Sequence, residues 1–259
     1  MPRFENLEFG DPEPQRKVAA APQRDPLHDE HYWMKQADDE RRGGCYENAL
    51  RYYSRALEMD RSIIAAWVGQ VRMLIAMGEF PEAEVWSRKA NDLFHNNPEL
   101  IAARAHALVR CGDLSKAQPL CDAAIVGVGK DAYPWIVRGE CMLAGRDSME
   151  QHCFDKARQL SPDWLVRLEI ADSYVFFRRI AKALSLLREA VELAPDRAHL
   201  WYRQGICERE MRLETAARRS LQRCCELAPR HLEARRNLEQ MDRRGWWPRM
   251  VLRRLFSRE

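Results

Sequence analysis

The sequence lacks long apolar runs, and its cysteines form no paired motif. No stretch approaches the roughly 18 apolar residues of a membrane-spanning helix. The opening residues MPRFENLEFGDPEP contain no apolar region of a secretory signal. None of the eight cysteines lies in a CxxC pair. Because several of them fall at apolar, helix-spaced positions, where a free thiol packs as a small hydrophobe, we expect reduced cysteines and a cytoplasmic protein.

Motifs of catalysis and metal binding are also missing. The sequence contains no GxSxG or HExxH motif. The stretch GVGK at 127–130 ends like a phosphate-binding loop, but Ala124 and Asp131 replace the glycine and the serine or threonine that such a loop requires. His28 and His31 have no further ligand set nearby for a metal. The sequence therefore predicts neither an enzyme nor a bound metal or cofactor.

The net charge is small overall and uneven along the chain. It is formally +3, which is too little to indicate nucleic-acid binding by itself. Residues 243–259 carry six arginines and one glutamate, so this segment is +5 and the remainder of the chain is −2. With 46% hydrophobic and 31% charged residues, the composition is that of an ordinary globular chain, so the basic segment is a local feature.

A spacing of 34 residues recurs along the chain. Trp33 and Trp67 are 34 residues apart, and Trp135 follows after twice that interval. Two series of small residues keep the same frame: Ala49, Ala83, Ala117, Ala183 and Ala217, and then Ala56, Ala90, Ala124, Ala157, Ala190 and Cys224. Each period divides into two helix-length apolar patterns, such as AAWVGQVRMLIAM and PEAEVWSRKANDLF, with a short turn between them. A helix pair of this size cannot bury its apolar face alone, so stacked copies are predicted.

This pattern resembles the tetratricopeptide repeat family. The shared motif is WxxxG/A...Y/L...GxxxxA...A...P, and its fullest copy is AHLWYRQGICEREMRLETAARRSLQRCCELAPR. Six repeats are counted, at 30–63, 64–97, 98–131, 132–163, 164–197 and 198–231. The resemblance implies an all-α fold, a right-handed superhelical solenoid of helix-turn-helix repeats. A capping helix is expected over 232–244, where it would cover the exposed face of the last repeat.

Repeats three to five depart from the motif. Ile101 and Arg167 replace the tryptophan, and the fourth repeat has 32 residues. Pro119 lies inside a predicted second helix, which it should bend or shorten. We therefore expect the superhelix to be irregular in this region.

The resemblance also implies a binding site, because in this family the first helix of each repeat lines a concave face. The residues at these positions combine apolar side chains with a few central charges: Val68, Arg72, Ile75, Ala102, His106, Val109, Ile136, Glu140, Leu143, Leu168, Asp172, Val175, Phe176 and Tyr202. They predict a groove for an apolar or amphipathic segment of a partner protein. The alternative is that neighbouring first helices bury these side chains against each other, and the sequence leaves both open.

Some members of the family hold the carboxylate of a chaperone tail with a clamp of lysine and asparagine. The corresponding residues in repeats one to three are Met34, Asp38, Gly69, Glu99 and Ala103. None of them is a lysine or an asparagine, which argues against an Hsp70 or Hsp90 carboxylate ligand.

Residues 1–29 are predicted to form a flexible, proline-rich arm. Its tip, FENLEFG, places Phe4, Leu7 and Phe9 among acidic residues. Acidic-apolar pieces of this kind often act as docking motifs, and an unselected start sequence is the alternative. If the tip docks within the chain, basic groups of the groove or of the C-terminus are the expected contacts.

The C-terminal segment GWWPRMVLRRLFSRE, 245–259, has two faces. If a helix restarts at Pro248, its apolar residues fall on one arc and its arginines on the other. The residues concerned are Trp246, Trp247, Arg249, Arg253, Arg254, Leu255 and Phe256. They predict packing onto the last repeats, or weak contact with a partner or an anionic membrane surface.

Together these patterns favour a non-enzymatic adaptor or scaffold that holds another protein in its concave groove. The alternative is a peripheral membrane organiser that is attached through its basic tail. RNA binding, which occurs in some helical-repeat proteins, is disfavoured by the mixed-sign surface and the apolar groove.

Overall fold

Helices make up all regular secondary structure in the described part of the molecule. The computed structural model describes residues 29–126, 129 and 131–242, and none of these residues lies in a strand. The helices are α1 (Glu30–Gly43), α2 (Tyr46–Met59), α3 (Ile64–Met77), α4 (Phe80–Leu93), α5 (Pro98–Cys111), α6 (Leu114–Ile125), α7 (Tyr133–Ala144), α8 (Glu150–Leu160), α9 (Trp164–Phe176), α10 (Ile180–Leu193), α11 (Ala198–Glu210) and α12 (Glu214–Leu227). A further helix covers 232–242. None of these helices is both long enough and apolar enough to cross a membrane.

The helices follow the predicted repeats. First helices begin at residues 30, 64, 98, 133, 164 and 198, each within one residue of the start of its predicted repeat. A short turn and a second helix follow every time. The all-α fold and the count of six repeats are therefore confirmed.

The turn after each first helix places one residue in the left-handed conformation. The residues are Gly44, Gly78, Gly112, Arg146, Arg178 and Arg212. After five of these residues, all but Gly112, the amide of the next residue donates back to the helix, as from Glu79 to the Leu74 carbonyl at 2.9 Å. Because glycine has no Cβ, the first three turns are unstrained, whereas each arginine costs about 1 kcal/mol.

The described helices divide into two compact units. The first unit contains α1 to α5, and the second contains α6 to α12 and the helix over 232–242. The division follows Cys111, so it falls between the two helices of the third repeat. The 34-residue spacing runs unbroken through this point, although the third repeat departs from the motif.

Close aromatic packing joins α1, α2 and α3 in the first unit. Tyr53 of α2 is almost fully buried, and its hydroxyl donates to Asp38 of α1 at 2.6 Å. A Cβ added to Gly69 of α3 would lie 2.6–2.7 Å from three atoms of the Tyr53 ring. Only glycine therefore permits this close approach of α3 to α2.

The second unit has an apolar core that extends from α7 to α11. Phe154, Leu168, Leu187 and Leu200 are among its buried members. The Phe154 ring contacts the Tyr174 ring edge-on, with 5.2 Å between the centroids. Side chains from three consecutive helix pairs thus share one core, as stacked repeats require.

The helix over 232–242 covers one face of α12. Its residues Ala234 and Met241 are buried against Ala217, Leu221 and Cys224 of α12. This is the position expected of a capping helix, which the sequence places over 232–244. Residues 243 and 244 lie outside the described part of the chain.

The second helices of repeats three and four are short. α6 has 12 residues and α8 has 11, whereas α2 and α4 each have 14. α6 continues through Pro119, which lacks the N–H that would bond one turn back. Its reduced length agrees with the shortening expected from the proline.

All eight cysteines are free thiols. Five of them are buried: Cys121, Cys141, Cys153, Cys207 and Cys224. Burial raises the pKa of Cys207 to about 11 and that of Cys224 to about 12. Cys207 and Cys224 therefore pack as small apolar groups and stay protonated at neutral pH.

Candidate functional site

The residues of the predicted groove lie on the first helices, as their repeat positions require. Six of them belong to α3 and α5 in the first unit, and eight belong to α7, α9 and α11 in the second. Each unit therefore presents its own first-helix face, and the two faces differ in which side chains reach the surface.

Eight of the predicted groove side chains are buried: Val68, Ile75, Ala102, Val109, Ile136, Glu140, Leu143 and Leu168. Packing within each unit removes them from solvent, which is the arrangement that the sequence leaves open as the alternative to a groove. An aspartate at Val68, Ile136 or Leu168 would therefore place a charge in the core rather than probe a surface.

Glu140 is the buried charge in this group. Its side chain is 0% exposed, and its Oε2 accepts a hydrogen bond of 2.5 Å from the Ser173 hydroxyl on α9. A buried carboxylate needs such donors because burial removes its hydration. The bond ties α7 to α9, so this predicted central charge contributes to packing between two repeats.

An accessible patch remains on α9, formed by Asp172, Val175 and Phe176 and called here the α9 patch. These residues are spaced three and four apart, so they share one face of the helix. Phe176 is 38% exposed, and its ring meets that of Phe177 at 5.0 Å. Asp172 pairs with Arg203 of α11. The patch therefore places apolar surface next to a pair of opposite charges.

Tyr202, the last of the predicted groove residues, contacts the segment that leads into the final helix. Its ring lies 4.6 Å from the His231 ring. Burial, together with a hydrogen bond to Glu233, raises its pKa to about 12. Burial also lowers the pKa of His199 to about 3, helped by the neighbouring Arg203 and His231 side chains. Both side chains are therefore uncharged at neutral pH.

In the first unit, the accessible members of the predicted set are Arg72 and His106, which are partly exposed. Their apolar neighbours on the same helices, such as Ile75 and Val109, are buried. A ligand on this face would therefore meet mainly basic side chains.

The interior of the last repeat contains a polar cluster that the sequence did not reveal. Buried Glu208 accepts a hydrogen bond of 3.0 Å from Gln204 and one of 2.7 Å from Ser220. Arg188 of α10 lies 3.8 Å from the same carboxylate. Helix-spaced polar residues usually indicate a solvated face, so only the packing identifies this cluster as internal.

Arg203, which pairs with Asp172, is signalled in the sequence. It is the sixth residue of repeat six, and its partner Asp172 is the ninth residue of repeat five. Opposite charges at these positions of consecutive repeats would indicate a bridge between neighbouring first helices.

Two cavities in the second unit lie outside the predicted groove. One, of about 150 Å³, is lined by Phe154, Tyr174 and Lys182 among others. The other, of about 460 Å³, is lined by residues that include Met211 and Leu213. None of the predicted site residues lines either cavity, so these cavities add nothing to the predicted groove.

Across residues 29–126, 129 and 131–242, no three metal-ligating side chains are grouped. His31 lies 3.5 Å from the Glu30 carboxylate and is largely exposed. The seven tail residues predicted as contacts, from Trp246 to Phe256, and the FENLEFG tip lie outside the described residues. The expectations for both ends of the chain remain predictions.

Comparison with known proteins supports the repeat assignment. The model of the tetratricopeptide repeat family matches residues 168–231. A fold match exists with TTC0263, described as a thermophilic TPR protein in Thermus thermophilus, at a TM-score of 0.53 and 19% identity. It covers 69% of this chain and 98% of that chain. No curated protein sequence matches this chain.

Two further solved structures show weaker similarity. The APC/C hetero-tetramer Cut9-Hcn1 gives a TM-score of 0.49 at 16% identity, and the match covers 84% of this chain but 44% of that chain. YrrB, described as a TPR protein with an unusual peptide-binding site, gives 0.38 at 19% identity, with 83% and 94% covered. The family match covers residues 168–231, and the six helix pairs along the described part of the chain have the helix-turn-helix arrangement of tetratricopeptide repeats.

Proposed function

We propose that this protein is a non-catalytic adaptor that holds an amphipathic segment of a partner protein against the α9 patch. The tetratricopeptide fold in general supports a role as a scaffold for protein–protein interaction. The observation that carries the specific proposal is the exposure of Phe176, a large apolar side chain, beside the Asp172–Arg203 pair.

The chemistry of the patch suits a helix with one apolar face. Val175 and Phe176 would contact an apolar stripe of the ligand, and the neighbouring ion pair would contact its polar edge. α9 is anchored by Leu168, Ile170 and Ala171, which are buried. A patch on such a rigid helix loses little conformational entropy when a ligand binds.

The substitution Phe176→Asp tests this proposal. It places a charge where the partner's apolar side chains would bind, and it leaves the buried residues of α9 in place. Affinity purification from the native cell, followed by quantitative mass spectrometry, measures partner recovery. We expect at least about a tenfold loss of the partner, which is the usual effect of removing an aromatic anchor.

Leu193→Asp is the matched control. Leu193 is 53% exposed on α10, so the change replaces an exposed apolar side chain in the same unit with the same charge. The control should retain the partner, and circular dichroism should show both variants folded. Equal recovery of every partner by wild type and Phe176→Asp would refute the proposal.

A further inference from the structure

The first unit carries a basic face on its first helices. Its basic side chains are Lys35, Arg41 and Arg42 of α1, Arg72 of α3 and Arg110 of α5, accompanied by His106. The acidic residues at equivalent positions are Asp38 and Glu99. With five basic and two acidic side chains, this face has a net charge of +3 when histidine is neutral.

The repeat register brings these charges together. Asp38, Arg72 and His106 follow one another at intervals of 34 residues, and Arg42 and Arg110 are twice that interval apart. Equivalent residues of stacked repeats lie side by side. Tyr53 of α2 links α1 to α3, because its hydroxyl bonds to Asp38 and its ring packs over Gly69.

Charge dominates the accessible part of this face. Lys35 is exposed, and Arg72 and Arg110 are partly exposed. The apolar residues Val68 and Ile75 on α3 are buried. This face is therefore suited to bind a negatively charged ligand rather than one with a long apolar stripe.

We propose that the acidic segment 4–13 of this chain, FENLEFGDPE, docks on the basic face of the first unit. The segment holds Glu5, Glu8, Asp11 and Glu13 and no basic residue, so its charge is −4. The C-terminal segment is +5 over 243–259 and is repelled by this face. In the second unit the carboxylate of the α9 patch, Asp172, is paired with Arg203, so the patch offers no excess positive charge to the acidic segment.

The chain is long enough for this contact. Fifteen residues lie between Glu13 and Asp29, which caps the start of α1, and they span up to about 50 Å when fully extended. Three first helices packed about 10 Å apart cover roughly 20 Å. The segment can therefore reach every residue of the basic face.

Tethering makes a weak contact effective. Exposed ion pairs are individually weak, but a linker of this length holds the segment at an effective concentration on the order of millimolar. The contact is salt-sensitive because its charges are near the surface. A partner with a longer acidic segment would displace the segment 4–13 from the basic face. Weakly binding ligands would not displace it, so the segment would exclude them from the first unit. This inference concerns another unit than the α9 patch and does not depend on the proposed function.

Zero-length carbodiimide crosslinking of the full-length protein tests the proposal. The reagent joins carboxylates to lysine amines, and Lys35 is an exposed lysine on the basic face. Wild type should give crosslinks from 5–13 to Lys35, identified by mass spectrometry. A mixture of isotopically labelled and unlabelled protein separates links within a chain from links between chains. Arg72→Glu combined with Arg110→Glu should lower the yield about fivefold or more.

The control is Arg51→Glu combined with Arg88→Glu on the second helices α2 and α4. These side chains are 68% and 53% exposed, and the change alters the net charge of the unit by the same amount. The control should stay within about twofold of wild type. The proposal is overturned if wild type gives no such crosslink or links only between copies. It is equally overturned if the control and the test variant lose the crosslink alike.

Discussion

Replacing Gly69 with alanine tests the packing that joins α1, α2 and α3. The new Cβ would lie 2.6 Å from Cζ of Tyr53 and 2.7 Å from two further ring atoms. Real side chains do not approach so closely, so either the ring or α3 must move. Tyr53 is 1% exposed and its hydroxyl is bonded to Asp38, which leaves the ring little room.

Two opposing effects set the size of the change. Alanine is favoured over glycine inside a helix by about 1 kcal/mol. Overpacking a core costs about 1–3 kcal/mol, and weakening the bond from Tyr53 to Asp38 costs about 1 kcal/mol more. We therefore expect Gly69→Ala to lower the free energy of unfolding by about 1–3 kcal/mol.

Urea denaturation followed by far-ultraviolet circular dichroism measures this loss, and hydrogen exchange locates it in α1 to α3. Gly43→Ala is the control, because a Cβ at Gly43 meets no atom within 4 Å. In a Tyr53→Leu background the ring is gone, so Gly69→Ala should cost little or stabilise. The reasoning fails if Gly69→Ala matches wild type, or if it costs as much after Tyr53→Leu as before it.

The remaining predictions concern other parts of the chain. The pKa of His199 is about 3 in the folded protein, against an ordinary value of 6.5, so the unfolded state gains the proton first as the pH falls. The free energy of unfolding should therefore decrease from pH 6.5 towards pH 3. Melting curves should show a smaller decrease for His199→Gln. Glu208→Ala removes the hydrogen-bond acceptor of buried Gln204 and Ser220. It should lower the free energy of unfolding, measured by urea denaturation, by about 1–3 kcal/mol. An unchanged denaturation midpoint would contradict the assigned network. Full-length protein should float weakly with anionic vesicles, and protein without 245–259 should not; flotation that survives the deletion would assign the contact to another surface.

Helix positions were predictable because they depend on local spacing. The repeat frame placed the first-helix starts within one residue, even at Ala132, where the helix begins at Tyr133. Gly78, which follows the first helix of the second repeat, adopts a φ of 84°, which is the left-handed conformation expected there. Apolar periodicity and turn residues act over a few neighbours, so a single sequence contains this information.

The surface of the candidate site was less predictable. Leu168 and Phe176 are both apolar and occupy the same predicted face of α9, yet Leu168 is 1% exposed and Phe176 is 38% exposed. Glu140 looked like a central charge of a groove, and instead it bonds to Ser173 inside the core. The spacing of residues along one helix identifies those that share a face. How exposed each of these side chains is depends on the distance to the neighbouring helix, which the sequence does not give.

The sequence by itself determined the repeats, their helices, their turns and the opposite charges at the two ends of the chain. These features follow from backbone propensity and from the periodic need to bury apolar side chains. The tertiary structure alone decided which first-helix residues stay accessible: an apolar patch beside an ion pair in the second unit, and a basic face in the first. The physical reason is that exposure depends on contacts between residues far apart in sequence, such as Tyr53 with Gly69 and Asp172 with Arg203.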